Sequence, residues 1–132
     1  MKCSKKVKAA FLTIGAAILA TKSVFAADIK SIDTEGQCKT IASEILKVLE
    51  SNETIDRDCQ ADVLASSVYL KSAGQGIKNR QYQRAVVYLL RSEELLQIMQ
   101  LSKERCAYFA PILKPYIPKV QALKMSIDAL EG

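Results

Sequence analysis

The sequence contains no histidine and no tryptophan, and its aromatics are limited to five Tyr and three Phe. Without an imidazole, a Ser-His-Asp triad, a Cys-His pair, an H-E-x-x-H zinc helix and a histidine pH switch are all excluded from a single chain. Glycine and proline are also scarce, at five and three residues. There is no glycine-rich phosphate loop and no aromatic platform of the kind a nucleic-acid-binding sheet displays, so nucleic acid is not an expected partner. Carboxylate pairs fare no better. Glu93 and Glu94 are adjacent and would point apart on a helix, and Asp56 and Asp58 fall at a helix start, where acids favour the macrodipole. Ser and Lys are common, but no spacing selects a Ser-Lys dyad. Neither an enzyme nor a cofactor is expected.

What the chain does have is 49% hydrophobic and 25% charged residues over 132 positions, enough for one ordered domain. Its formal charge of +5 is concentrated at the start. Lys2, Lys5, Lys6 and Lys8 precede an apolar run from Ala9 to Ala20, followed by Thr21-Lys22-Ser23-Val24-Phe25-Ala26. This pattern reads as a secretory signal peptide, with Val24 and Ala26 at the two positions that must be small for cleavage after Ala26. The apolar run, about a dozen residues, falls short of the roughly 17 to 25 needed to span a bilayer. The expected organisation is therefore a cleaved segment, residues 1–26, and a single helical domain, residues 27–132, exported to the periplasm or beyond the cell. Cys3 would leave with the peptide.

The five lysines of residues 1–26 account for the whole charge excess, and residues 27–132 carry 14 bases against 14 acids. The basic isoelectric point is thus no argument for a polyanionic partner. The charges are nevertheless segregated: residues 27–65 hold nine acids and four bases, whereas residues 66–92 hold Lys71, Lys78, Arg80, Arg84 and Arg91 and no acid.

Apolar residues recur at spacings of three and four, so the expected class is all-α, a small bundle of four to five helices. The first helix is expected from about Glu35 to Glu50, with Cys38, Ile41, Ile45, Val48 and Leu49 on one stripe, a capping box at Thr34 and Gln37, and a turn at Ser51-Asn52. The second is expected from about Asp56 to Ser72, with a break at Gly74-Gln75-Gly76. The third runs from Arg80 to Gln100, with Tyr82, Ala85, Val86, Leu89, Leu90, Leu96 and Met99 on its apolar face. Ser102 is placed to cap a segment that Pro111, Pro115 and Pro118 should kink or interrupt. Pro118 suits the first turn of a last helix whose stripe is Val120, Leu123, Ile127 and Leu130.

Tyr82-x-x-Ala85-x-x-x-Leu89-x-x-Ser92 resembles the second helix of a tetratricopeptide repeat, with Tyr69 and Ala73 near the matching positions of the first. The resemblance covers about residues 65–98 and implies a peptide-binding helical surface. Gly76 departs from the pattern and no second copy follows, so the segment is read as an ordinary helical hairpin with small residues at a close approach.

Export favours disulfides, and Cys38, Cys59 and Cys106 leave one thiol over. These three lack the paired spacing of a zinc site, and no metal is expected. In an antiparallel bundle with turns near Ser51-Asn52, Gly76-Ile77 and Leu101-Ser102, Cys59 and Cys106 share a layer. Cys38 lies about 10 Å of helix rise away, beyond disulfide reach. The favoured bridge is Cys59–Cys106, leaving Cys38 packed, or redox-active, or joining a homodimer; a one-turn shift in either loop would give Cys38–Cys59 instead.

The most suggestive polar feature is a row formed by Arg80, Arg84 and Arg91 with Tyr88 among them and Lys78 at its start, which can grip phosphate or carboxylate groups. Lys103, Arg105, Lys114, Lys119 and Lys124 could widen it. The competing expectation is a solvated face, or one paired with the acidic first helices. The functional expectation is a non-catalytic interaction protein whose basic face binds an acidic protein or an anionic, phosphoinositide-like lipid, and which could act as a secreted, host-directed effector. The alternative is a periplasmic inhibitor, immunity or chaperone-like protein working by protein–protein contact. Tyr108-Phe109 and Tyr116-Ile117 are expected in the core.

Overall fold

A computed structural model describes residues 12–51, 56–102 and 104–131, with side chains from Lys30 to Leu130 within those ranges. The basic start of the expected signal peptide, the Asn52 turn and Lys103 lie outside them. The chain divides into two compact units, Met1–Lys30 and Ser31–Gly132. Among the described residues every regular element is a helix: α1 (Leu12–Ser51), α2 (Arg57–Lys78), α3 (Tyr82–Leu101), α4 (Phe109–Leu113) and α5 (Tyr116–Glu131). No helix among them is long and apolar enough to cross a membrane. The class is all-α, and the last part is interrupted where the prolines fall.

The apolar stripes read from the sequence form one core in the second unit. Cys38, Ile41 and Ile45 of α1 meet Val63, Leu70 and Ile77 of α2, Leu89, Leu96 and Met99 of α3, Phe109 and Leu113 of α4, and Val120, Leu123 and Ile127 of α5. Tyr108, Tyr116 and Ile117 pack against this core from its edge, and Tyr108 meets Phe109 edge-on at 5.4 Å. Burying large aliphatic side chains stabilises by roughly 1.5–3 kcal/mol each relative to exposure.

Polar ties set how the helices approach. The Ser67 hydroxyl donates to the Ala42 carbonyl at 2.8 Å, joining α2 to α1, and the Ser92 hydroxyl donates to the Ser66 carbonyl at 3.0 Å, joining α3 to α2. The Tyr116 hydroxyl donates to Glu44 at 2.9 Å and ties α5 to α1. Small residues at these crossings allow backbones to come close. A side-chain carbon on Gly76 would stand 3.3 Å from the Ala85 Cβ, which is the close approach of small residues expected of the hairpin.

Four boundaries differ from the sequence reading. Helix α1 does not begin at a Thr34 capping box: Thr34 is buried inside a continuous helix, and Gln37 donates to Asp33 instead. No proline interrupts residues 12–50, so nothing forces a new start there. Helix α2 passes through Gly74-Gln75-Gly76 to Lys78. Both glycines are buried, Gly74 against α1 and Gly76 against α3, and this packing outweighs the poor helix propensity of glycine, about 1 kcal/mol per residue.

Helix α3 begins at Tyr82 rather than Arg80, because Arg80 has φ 59° and terminates α2. The Gln81 N–H reaches the Gly76 carbonyl at 2.7 Å and the Arg80 N–H reaches the Ile77 carbonyl at 3.0 Å. These are the paired bonds of a Schellman helix ending, with arginine in the left-handed position usually given to glycine. Ser102 closes α3, its N–H bonded to the Ile98 carbonyl, rather than starting a new helix.

Candidate functional site

The disulfide joins Cys59, in the first turn of α2, to Cys106, between α3 and α4, as the helix-height argument expected. Around it the Arg105 guanidinium meets Asp62 at 2.8 Å and the Asp58 carbonyl, while the Asp56 carboxylate accepts from the Tyr108 N–H. Cys38 is fully buried. Burial, and second the nearby Glu35 carboxylate, push its thiol up to about 12, so at neutral pH it carries essentially no thiolate, the form that attacks disulfides.

Several basic residues are paired within the fold. Arg105 belongs to the disulfide clamp, Arg91 meets Glu94 one turn along α3 at 3.4 Å, and Lys39 meets Glu35 at 2.7 Å. Lys124 of α5 pairs with Glu93 of α3, whose carboxylate also accepts from Gln121 at 2.9 Å and Gln97 at 3.2 Å. Lys119 stands over the Tyr116 ring at 5.0 Å. Of the cations that could have widened the basic face, Arg105 and Lys124 are thereby committed to neighbours.

Three cations gather where α2 turns into α3. Lys78 is the exposed last residue of α2, Arg80 occupies the left-handed turn position, and Arg84 is exposed in the first turn of α3. Arg80 and Arg84 border one open surface depression of about 420 Å³ together with Gln81, Tyr82 and Gln83. Among the described residues no carboxylate is ion-paired with Arg84 or Lys78. Arg91 lies seven residues, about 10 Å, further along α3, with its guanidinium on Glu94. The five residues therefore do not form a straight guanidinium row: Arg80 steps off the helix and Tyr88 turns inward.

Tyr88 stacks on Tyr69 of α2, ring centres 6.2 Å apart and planes at 28°. It is a half-buried seam between the two helices. Beside this seam α2 exposes Leu64 and Val68, and α3 exposes Val87, each at about half of its full surface. These three residues were not among the functional candidates expected from the sequence. Their signal was present, since Leu64 and Val68 are one turn apart and fall between the core positions Val63, Ser66 and Leu70.

No group of three or more Cys, Asp or Glu side chains among the described residues is placed to hold a metal ion. Compared with known proteins, the chain matches no family model, no curated protein and no solved structure.

Proposed function

We propose that the protein is an exported, non-catalytic interaction protein that docks the α2–α3 end of its bundle on an anionic surface, with a phosphoinositide-like membrane as the favoured partner. The observation that carries this reading is the placement of Arg80 and Arg84 on one exposed depression, with Lys78 one residue before the turn. Guanidinium groups hold phosphates bidentately, and an anionic membrane attracts each nearby cation by about 1 kcal/mol. The exposed Val87, three residues after Arg84 on α3, would add apolar contact at the interface. Arg80 supports the same reading through its backbone, since a non-glycine residue at positive φ costs stability that a glycine would not.

The test is co-sedimentation with neutral and phosphoinositide-containing vesicles across a salt series, beside an Arg80/Arg84/Arg91→Ala variant whose helicity is checked by circular dichroism. Binding that needs anionic headgroups, weakens with salt and is lost in the folded variant supports the proposal. No sedimentation with any vesicle overturns its membrane form. A second reading, inhibition or chaperoning of another protein through apolar contact, is favoured by Leu64, Val68 and Val87 lying exposed beside the tyrosine seam. It predicts a protein complex whose affinity is insensitive to salt and falls on Val68→Asp.

A further inference from the structure

A second concavity lies elsewhere, in a groove of about 630 Å³ between α1 and α2. That size is typical of small-molecule sites. Its two ends differ chemically. Lys39 of α1 and Lys71 of α2 stand on opposite walls at one end, with the Ser72 hydroxyl and the Gln75 amide beside them. Ala42 and Leu46 continue the α1 wall toward the other end, about 10 Å of helix rise from Lys39.

No acid lines the groove. Lys39 pairs with Glu35 one turn back on its own helix, an i,i+4 bridge whose Lys39 end is exposed and whose Glu35 end is partly covered; helix pairs of this spacing contribute only about 0.3–0.5 kcal/mol. Lys71 has no ion-paired carboxylate among the described residues. The Ser67 hydroxyl is occupied by the Ala42 carbonyl and fixes the floor.

We infer that this groove binds a single-chain anionic amphiphile, its carboxylate or phosphate between Lys39 and Lys71 and its alkyl chain along Ala42 and Leu46. The charge of the two lysines selects an anion, and the apolar wall behind them selects one that carries a chain rather than a free inorganic ion. The site is separate from the α2–α3 turn and stands or falls independently of the membrane-docking reading.

The experiment is calorimetric titration of the disulfide-bonded protein with laurate and dodecyl phosphate, below their micelle-forming concentrations, against inorganic phosphate and dodecyl maltoside. Both anionic amphiphiles should bind and both controls should not. The Lys39→Ala/Lys71→Ala variant should bind about tenfold or more weakly through loss of charge-assisted hydrogen bonds. Ser43→Trp, at an exposed position on the groove wall, should block the chain, while Arg57→Ala, an exposed cation at the start of α2 outside the groove, should leave binding unchanged. Absence of laurate binding by the folded protein overturns the inference. So does equal binding of dodecyl maltoside, binding of inorganic phosphate as tight as that of dodecyl phosphate, or unaltered affinity in the double-lysine variant.

Discussion

Gly36 and Gly76 are both helical, yet their surroundings are opposite. A Cβ on exposed Gly36 would have nothing within 4 Å, whereas one on Gly76 would meet Ala85 at 3.3 Å and the Gln81 carbonyl at 3.4 Å. Gly36→Ala should therefore stabilise by about 0.5–1 kcal/mol through helix propensity alone. Gly76→Leu should cost about 1–3 kcal/mol by forcing α2 and α3 apart. Urea unfolding of the two variants checks both signs.

Glu93 is a second case in which the fold defines the residue. Burial raises its carboxyl pKa, but hydrogen bonds from Lys124 and Gln121 and the charge of Lys124 outweigh that and hold it below the ordinary 4.5. A carboxyl depressed in the folded state contributes stability that is complete above its unfolded value and is lost as pH falls through the folded one. Stability should decline below about pH 4.5, and Glu93→Gln should flatten that limb of the curve in thermal melts from pH 7 to pH 3. Cys38, with its thiol near 12, should react with a thiol reagent only as the protein unfolds. Labelling at the native rate of an exposed cysteine would contradict its burial.

Among the elements, the end of α2 joins stability to the proposed function. Arg80 holds the left-handed position of the Schellman ending, where glycine has no steric cost. Arg80→Gly should stabilise by about 1 kcal/mol and, on the membrane-docking reading, weaken vesicle binding. A variant that gains stability and keeps full binding would remove Arg80 from the interface. The disulfide acts on a larger element, linking residues 47 apart. Constraint of the unfolded chain over such a loop is worth about 4 kcal/mol. Cys59→Ala/Cys106→Ala should lower the urea midpoint accordingly, with the Arg105–Asp62 pair and the Asp56 contact to Tyr108 left to hold the α2 start.

For the whole molecule, charge balance and packing are separate questions. Residues 27–132 carry equal numbers of acids and bases, so any attraction to an anionic partner must come from local placement and should fall steeply with salt. The sequence by itself determined the all-α class, because a period of three to four residues leaves each stripe only helical solutions for burial. It also favoured the Cys59–Cys106 bridge over Cys38–Cys59, because helix rise is constant and turn positions set heights: α3 ends at Leu101, one residue past the expected Gln100, and an α2 turn placed three residues early did not move the cysteines out of reach. The tertiary structure alone decided that α2 continues through two glycines, since the compensating partners, Cys38 of α1 and Ala85 of α3, stand on other helices. It also decided which cations are committed. Arg105 meets Asp62 of α2 and Lys124 meets Glu93 of α3, partners on helices that sequence spacing does not bring together. Side-chain periodicity encodes which face is buried, but not which neighbour a charge meets once helices from different parts of the chain have packed.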